Sequence, residues 1–274
     1  MTNTTSTAAT NIKVCDAIMG SGKTTAVINM MNNNPHQRFI YITETLDEDV
    51  RIMNACPALK FARPGYVGRG TKRTRVNKSD HIRELLAKGR NIATTHKLFT
   101  MLEGETWQLA KSMDYIMIID EEPTVTERCT FGPLDIRALE AAGVLERHDD
   151  GSFDVHDTEA SGQLSTLIRK CKTGSLMTCT KTDMPRQMWT MYPDAFAAFK
   201  EVYIMTYQFE HSMLQYYMAT HGLTYTNIYI AKAPDGTVSF TDQLCYIPSY
   251  VGHLSQLIHI FENEELNIVK MSLA

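Results

Sequence analysis

The stretch Ala17-Ile18-Met19-Gly20-Ser21-Gly22-Lys23-Thr24-Thr25 limits what the rest of the chain can fold into. It fits the phosphate-binding pattern G-x-x-x-x-G-K-[ST] with Ala17 in place of the first glycine. An apolar run with Ile12 and Val14 precedes it, and helix-compatible residues from Ala26 to Met31 follow. A loop between a strand and a helix lets the backbone N–H groups of residues 20–24 converge on phosphate oxygens, where the helix N-terminus adds partial positive charge. Gly20 and Gly22 permit backbone angles and close approaches that a side chain blocks. Lys23 is then expected to reach the β- and γ-phosphates, and the Thr24 hydroxyl to help hold Mg²⁺. Met19, Ser21 and Thr25 complete the expected cofactor-binding set. The bland alternative is a chance Gly-Ser turn capping a helix, which leaves the matching flanks unexplained.

A second constraint lies downstream, where Tyr115-Ile116-Met117-Ile118-Ile119 runs straight into Asp120-Glu121-Glu122-Pro123. Carboxylates directly after a fully apolar strand are costly unless a cation or a hydrogen-bond network receives them. That position is the carboxyl end of a parallel strand, where open α/β sheets bind ligands. Asp120 is expected to hold Mg²⁺ directly or through water, and Glu121 to orient or deprotonate the attacking water. Taken alone, the same residues also suit an acidic helix N-terminus with Pro123 in the first turn.

The length of 274 residues suffices for one large α/β domain, or for one domain with a smaller appendage. No apolar run approaches the ~18–20 residues that a membrane span needs. The first eleven residues, rich in Thr, Asn, Ser and Ala, predict a disordered leader rather than a signal peptide. Six cysteines are scattered without a C-x-x-C pair, so reduced thiols in a cytoplasmic chain are expected. The net charge of −4 argues against a uniformly basic coat, but the distribution is uneven. Ten of the 27 basic residues, among them Arg69, Lys72, Arg73 and Arg75, lie between residues 60 and 90.

In chain order, the pattern predicts strands at 12–16, 39–43, 91–96, 115–119 and 201–206, alternating with helices. The helices expected include 24–32, Leu46 to Ala55 with Asp47 as a candidate cap, and one starting at Ser79 or Asp80. Residues 57–79 read as an irregular basic loop. Residues 124–200 read as a long interval with helical stretches at 134–146 and 160–171, which the family resemblance described below makes an inserted helical subdomain. A helix over 212–221 should end at Gly222. A hairpin is expected around Ala233-Pro234-Asp235-Gly236, and one more short strand at 257–261. Five apolar strands alternating with helices give an α/β fold with a mostly parallel, doubly wound sheet and a helical insertion. The organisation is then a leader over 1–11, a nucleotide-binding lobe over 12–222, and a hairpin with a linker or the start of another lobe over 223–274.

These residues resemble a family. Ala17 to Thr25 looks like the first motif of superfamily 2 helicases, and Asp120-Glu121-Glu122-Pro123 looks like their D-E-x-x motif. Ile92-Ala93-Thr94-Thr95-His96 is similar to the strand and Thr-His turn that such enzymes carry on the DNA-facing side, and Tyr41 to Thr45 occupies the place of the preceding DNA-contact motif. Met205-Thr206-Tyr207 sits where those proteins link ATP hydrolysis to strand movement. The whole looks most like the helicase-type replication proteins of bacteriophages. The resemblance implies a RecA-like phosphate-loop lobe that uses ATP and Mg²⁺, with DNA, single- or double-stranded, against Thr95, His96 and the basic segment. It also implies a second RecA-like lobe or other replication proteins as partners, a host-cytoplasmic location and no membrane. Such helicases take an arginine finger from the second lobe, so a single lobe should hydrolyse slowly. The alternative is a phosphate-loop protein that uses nucleotide as a switch or packages DNA without unwinding it. A nucleotide kinase is disfavoured, because the carboxylates stand where a kinase needs its acceptor.

Overall fold

The computed structural model describes residues 12–67, 74–129, 131–149, 152–156, 162–179, 186–244, 258–260 and 269–271. Its centre is a six-stranded sheet built from β1 (Ile12–Asp16), β2 (Arg38–Thr43), β3 (Ile92–Thr95), β4 (Tyr115–Asp120), β5 (Glu201–Thr206) and β6 (Tyr225–Asn227). The spatial order is β6-β1-β5-β4-β2-β3, and every pairing is parallel. The helices of the sheet region are α1 (Lys23–Asn33), α2 (Leu46–Ala55), α3 (Lys78–Ala87), α4 (His96–Phe99) and α5 (Gly104–Ser112). Beyond them come α6 (Pro133–Ala141), α7 (Gly162–Thr173), α8 (Asp194–Ala197) and α9 (Met213–Thr220).

Strands buried on both faces need continuous apolar runs, which is what β2, β4 and β5 carry. Alternate residues then supply two separate cores. Ile40, Ile42, Met117, Ile119, Val202 and Ile204 pack with Ile82, Leu85 and Leu86 of α3, Trp107 of α5 and Leu214 of α9. On the opposite face Phe39, Tyr41, Ile116, Ile118 and Met205 meet Ala26, Val27 and Met31 of α1 and Ile52 of α2. Helices thus cover both faces of a mixed α/β fold.

Several elements depart from expectation. A sixth strand, β6, pairs with β1 through Ile12 and Tyr225, beyond the expected lobe boundary at 222. Its sequence Tyr-Thr-Asn is half exposed at the sheet edge, so it lacks the apolar run that marks its neighbours. The cap of α2 is Thr45, whose side chain accepts from the Glu48 N–H, rather than Asp47. Likewise Asn77, not Ser79 or Asp80, caps α3 by accepting from both of those N–H groups. The insertion is not purely helical. Gly143, at φ 70°, ends α6 well before 146, and a short hairpin, Leu145–Arg147 with Phe153–Val155, follows. An antiparallel three-stranded sheet orders Gly174–Cys179, Arg186–Met191 and Thr126–Arg128.

The hairpin expected near Pro234 forms from β7 (Tyr229–Lys232) and β8 (Val238–Thr241), and Asn29 Nδ2 of α1 donates to its Val238 carbonyl at 2.9 Å. Ile258–Ile260 forms the strand expected near the end and pairs with Val269–Met271. Among the described residues no helix is long and apolar enough to cross a membrane.

Candidate functional site

A cleft of about 1090 Å³ opens at the carboxyl ends of β1, β2, β4 and β5, and its walls include Met19 to Thr25, Thr43 to Thr45, His96, Asp120 to Glu122 and Thr206 to Gln208. The sequence-predicted loop and the sequence-predicted carboxylates therefore share one cavity, at the sheet edge where ligands of such folds sit.

The loop has the backbone it was expected to need. Gly20 and Gly22 have φ of 77° and 97°, and a Cβ on Gly22 would come within 3.1 Å of Val238 Cγ1 of the hairpin. Ala26 N–H donates to the Gly22 carbonyl at 2.9 Å, which seats α1 directly on the loop. Lys23 curls back, its ammonium donating to the Ala17 carbonyl and, at 3.1 Å, to that of Ile18. Ser21 Oγ is buried, and no group among the described residues hydrogen-bonds it. Thr24 is half-buried and Thr25 exposed on the cleft wall. Cys15, just before the loop, is fully buried, and burial pushes its thiol up to about 11.

The acidic segment is divided among distinct environments. Asp120, the last residue of β4, accepts a hydrogen bond from the Tyr41 hydroxyl at 3.0 Å. Burial pushes its carboxyl above the usual range, and the Tyr41 bond works against that rise. Glu121 leaves the sheet at φ 71°, with its N–H donating to the Met205 carbonyl at 2.9 Å and its side chain exposed to the cleft. Glu122, given no role from sequence, accepts from Thr206 Oγ1 at 3.2 Å. Burial raises its carboxyl, opposed by hydrogen bonds from Ser212 and Thr206.

Expected nucleic-acid contacts separate in space. His96 lines the cleft, its Nε2 2.8 Å from the Asp120 backbone oxygen, and burial lowers its pKa. A carbonyl only accepts, so Nε2 carries the proton. Thr95 lines a different groove of about 680 Å³, together with Lys78, Arg83, Lys97 and Arg169. Tyr41, at the place of a DNA-contact motif, is fully buried with its hydroxyl on Asp120, so it acts inside the sheet instead. Arg69, Lys72 and Arg73 lie outside the described residues, as does the Arg75 side chain. Of the remaining basic segment, Arg63 faces Asp49 at 3.6 Å, Arg83 pairs with Asp80 and Glu105, and Lys88 pairs with Glu84.

Two contributors escaped the sequence reading. Asp16, at the end of β1, accepts from the backbone N–H groups of Gln208 and Phe209, each at 2.9 Å, and so fixes the turn that leaves β5. Arg51 of α2 also faces the cleft, paired with Glu48. A carboxylate after the β1 run was a visible signal for the first; nothing in the pattern marked the second.

The donor set suits Mg²⁺ only together with a phosphate ligand. Among the described residues no group of three or more His, Cys, Asp or Glu side chains is placed to hold a metal alone. Mg²⁺ characteristically takes one or two carboxylates plus substrate phosphates and waters; in such a set Asp120 would be the carboxylate and Thr24 the hydroxyl, both on the cleft wall.

Fold and cleft together define an α/β protein with a glycine-rich loop and a carboxylate pair at the carboxyl edge of a parallel sheet. In sequence, the chain is 32% identical over 232 residues to the SPbeta prophage-derived uncharacterized protein YonV of Bacillus subtilis (strain 168). The match covers 82% of this chain and 55% of that protein, so the chain spans little more than half the relative's length. No family model matches the chain, and no solved structure does.

Proposed function

We propose that the cleft binds ATP with Mg²⁺ and hydrolyses it, as the RecA-like nucleotide-binding lobe of a DNA helicase or translocase of phage replication. The observation that carries this reading is the convergence of Lys23, Thr24, Asp120 and Glu121, from two strands separated by β5, on one cleft. Lys23 exchanges its loop carbonyls for phosphate oxygens. Thr24 and Asp120 hold Mg²⁺, which when bound offsets phosphate charge. Glu121, exposed and held at a left-handed backbone position, orients the attacking water. The prophage origin of the relative supports the phage setting, and the groove beside Thr95 supplies cations for a nucleic-acid backbone. A second reading, a nucleotide switch or packaging ATPase without unwinding, is favoured by the local pairing of Arg63, Arg83 and Lys88, which leaves less free charge for DNA.

Nucleotide binding and steady-state ATP hydrolysis by the purified chain test the proposal. Lys23→Ala should abolish binding. Glu121→Gln should keep binding and lower turnover by about 10²–10⁴-fold, the usual range for a general base. Wild-type turnover in Glu121→Gln would remove its role, and unimpaired binding in Lys23→Ala would remove the site.

A further inference from the structure

Among the described residues, five carboxylates, Asp120 and Glu48 among them, line the cleft against two permanent cations, Lys23 and Arg51. A nucleoside triphosphate entering so acidic a cavity needs every cation within reach. Lys23 sits on the loop itself. Arg51 sits on α2, whose cap Thr45 lies just past the end of β2, and β2 pairs directly with β4, which carries Asp120. Burial raises the pKa of both the Asp120 carboxyl and the Tyr41 hydroxyl, and the Arg51 charge opposes that rise at each.

In the structure both Nε and Nη2 of Arg51 converge on a single oxygen, Glu48 Oε2, at 2.6 Å. The two residues are one helical turn apart and their side chains are 51% and 41% exposed. Exposed pairs of this kind are weak. A phosphate offers the planar guanidinium two oxygens and more charge.

We propose that Arg51 exchanges Glu48 for the terminal phosphate of a bound nucleoside triphosphate, and so is the residue by which this site distinguishes a triphosphate from a diphosphate. The proposal rests on the nucleotide-site reading above. It supplies from within the chain a guanidinium that the helicase resemblance assigns to a second lobe. Glu48 is then the resting partner that holds Arg51 when the terminal phosphate is absent.

Fluorescent ATP and ADP, titrated in Mg²⁺ against the full chain and its Arg51→Ala, Arg51→Lys and Glu48→Gln variants, test it. Loss of a charge-assisted bond should weaken ATP binding by about 10–100-fold in Arg51→Ala, with ADP affinity essentially unchanged. Arg51→Lys should recover part of the loss. Glu48→Gln should tighten ATP binding, the direction opposite to Arg51→Ala. A pair that merely braces α2 would make both variants act alike on both nucleotides, and that result would overturn the proposal. Wild-type binding of ATP and ADP with Arg51→Ala unchanged sinks the role of Arg51 alone; a wild-type chain that binds neither nucleotide sinks the nucleotide site and this inference with it.

Discussion

Asp49, in the first turn of α2, is 1% exposed, accepts a hydrogen bond from Thr43 Oγ1 at 3.1 Å and lies 3.6 Å from Arg63 Nε. Burial pushes its carboxyl up to about 6, against the pull of Thr43 and Arg63. A folded state that binds this proton more tightly than the unfolded chain is stabilised at low pH. The contribution is full below about 4, the ordinary aspartate range, and is lost as the pH rises to about 6. Denaturant titration should therefore show Asp49→Asn gaining on the wild type between these two pH values and holding its advantage above them. A difference independent of pH would rule out this titration. At this scale, that Lys23, Thr24, Asp120 and Glu121 share one cleft was readable from local spacing. The bonds made by Tyr41 and Asp16 were not, since their partners lie 79 and 192 residues away and become neighbours only once the sheet is assembled.

Among elements, the strands with continuous apolar runs were readable and the edge strand β6 was not, because an edge needs fewer buried residues. Helix α2 keeps its expected span with a different cap, Thr45, whereas α3 starts one or two residues before the expected Ser79 or Asp80 because Asn77 takes its cap. In the insertion, the helical periodicity of 134–146 concealed the strand at Leu145–Arg147, which Gly143 separates from α6. The tightest packing there is at Gly174, where a Cβ would stand 2.3 Å from the Thr190 carbonyl oxygen and 2.4 Å from Trp189 Nε1. That indole N–H donates to the Lys170 carbonyl at 3.0 Å, tying α7 to the antiparallel sheet. Gly174→Ala should thus cost about 1–3 kcal/mol, as overpacking does, measurable as a lowered urea midpoint. An unchanged midpoint would mean that the two strands shift freely.

For the whole molecule, the strand order sets the function that can be tested. With β5 between β1 and β4, the loop and the acidic segment face each other across the exit of β5, where Thr206 meets Glu122. A motor lobe should couple this cleft to the groove beside Thr95, since β3 ends between them and passes from Thr95 in one to His96 in the other. ATP turnover by the chain should accordingly rise with added DNA, and the rise should fade as salt screens backbone contacts. Turnover indifferent to DNA at low salt would favour the switch reading.

The carboxylate of Asp16 has one further consequence. It is the last residue of the strand that feeds the glycine-rich loop, yet both of its oxygens accept from the turn that leaves the neighbouring β5. The entry to the glycine-rich loop and the turn leaving β5 therefore share one carboxylate, and drawing them apart breaks both hydrogen bonds. The turn held in this way leads within a few residues to Ser212, the cap of α9.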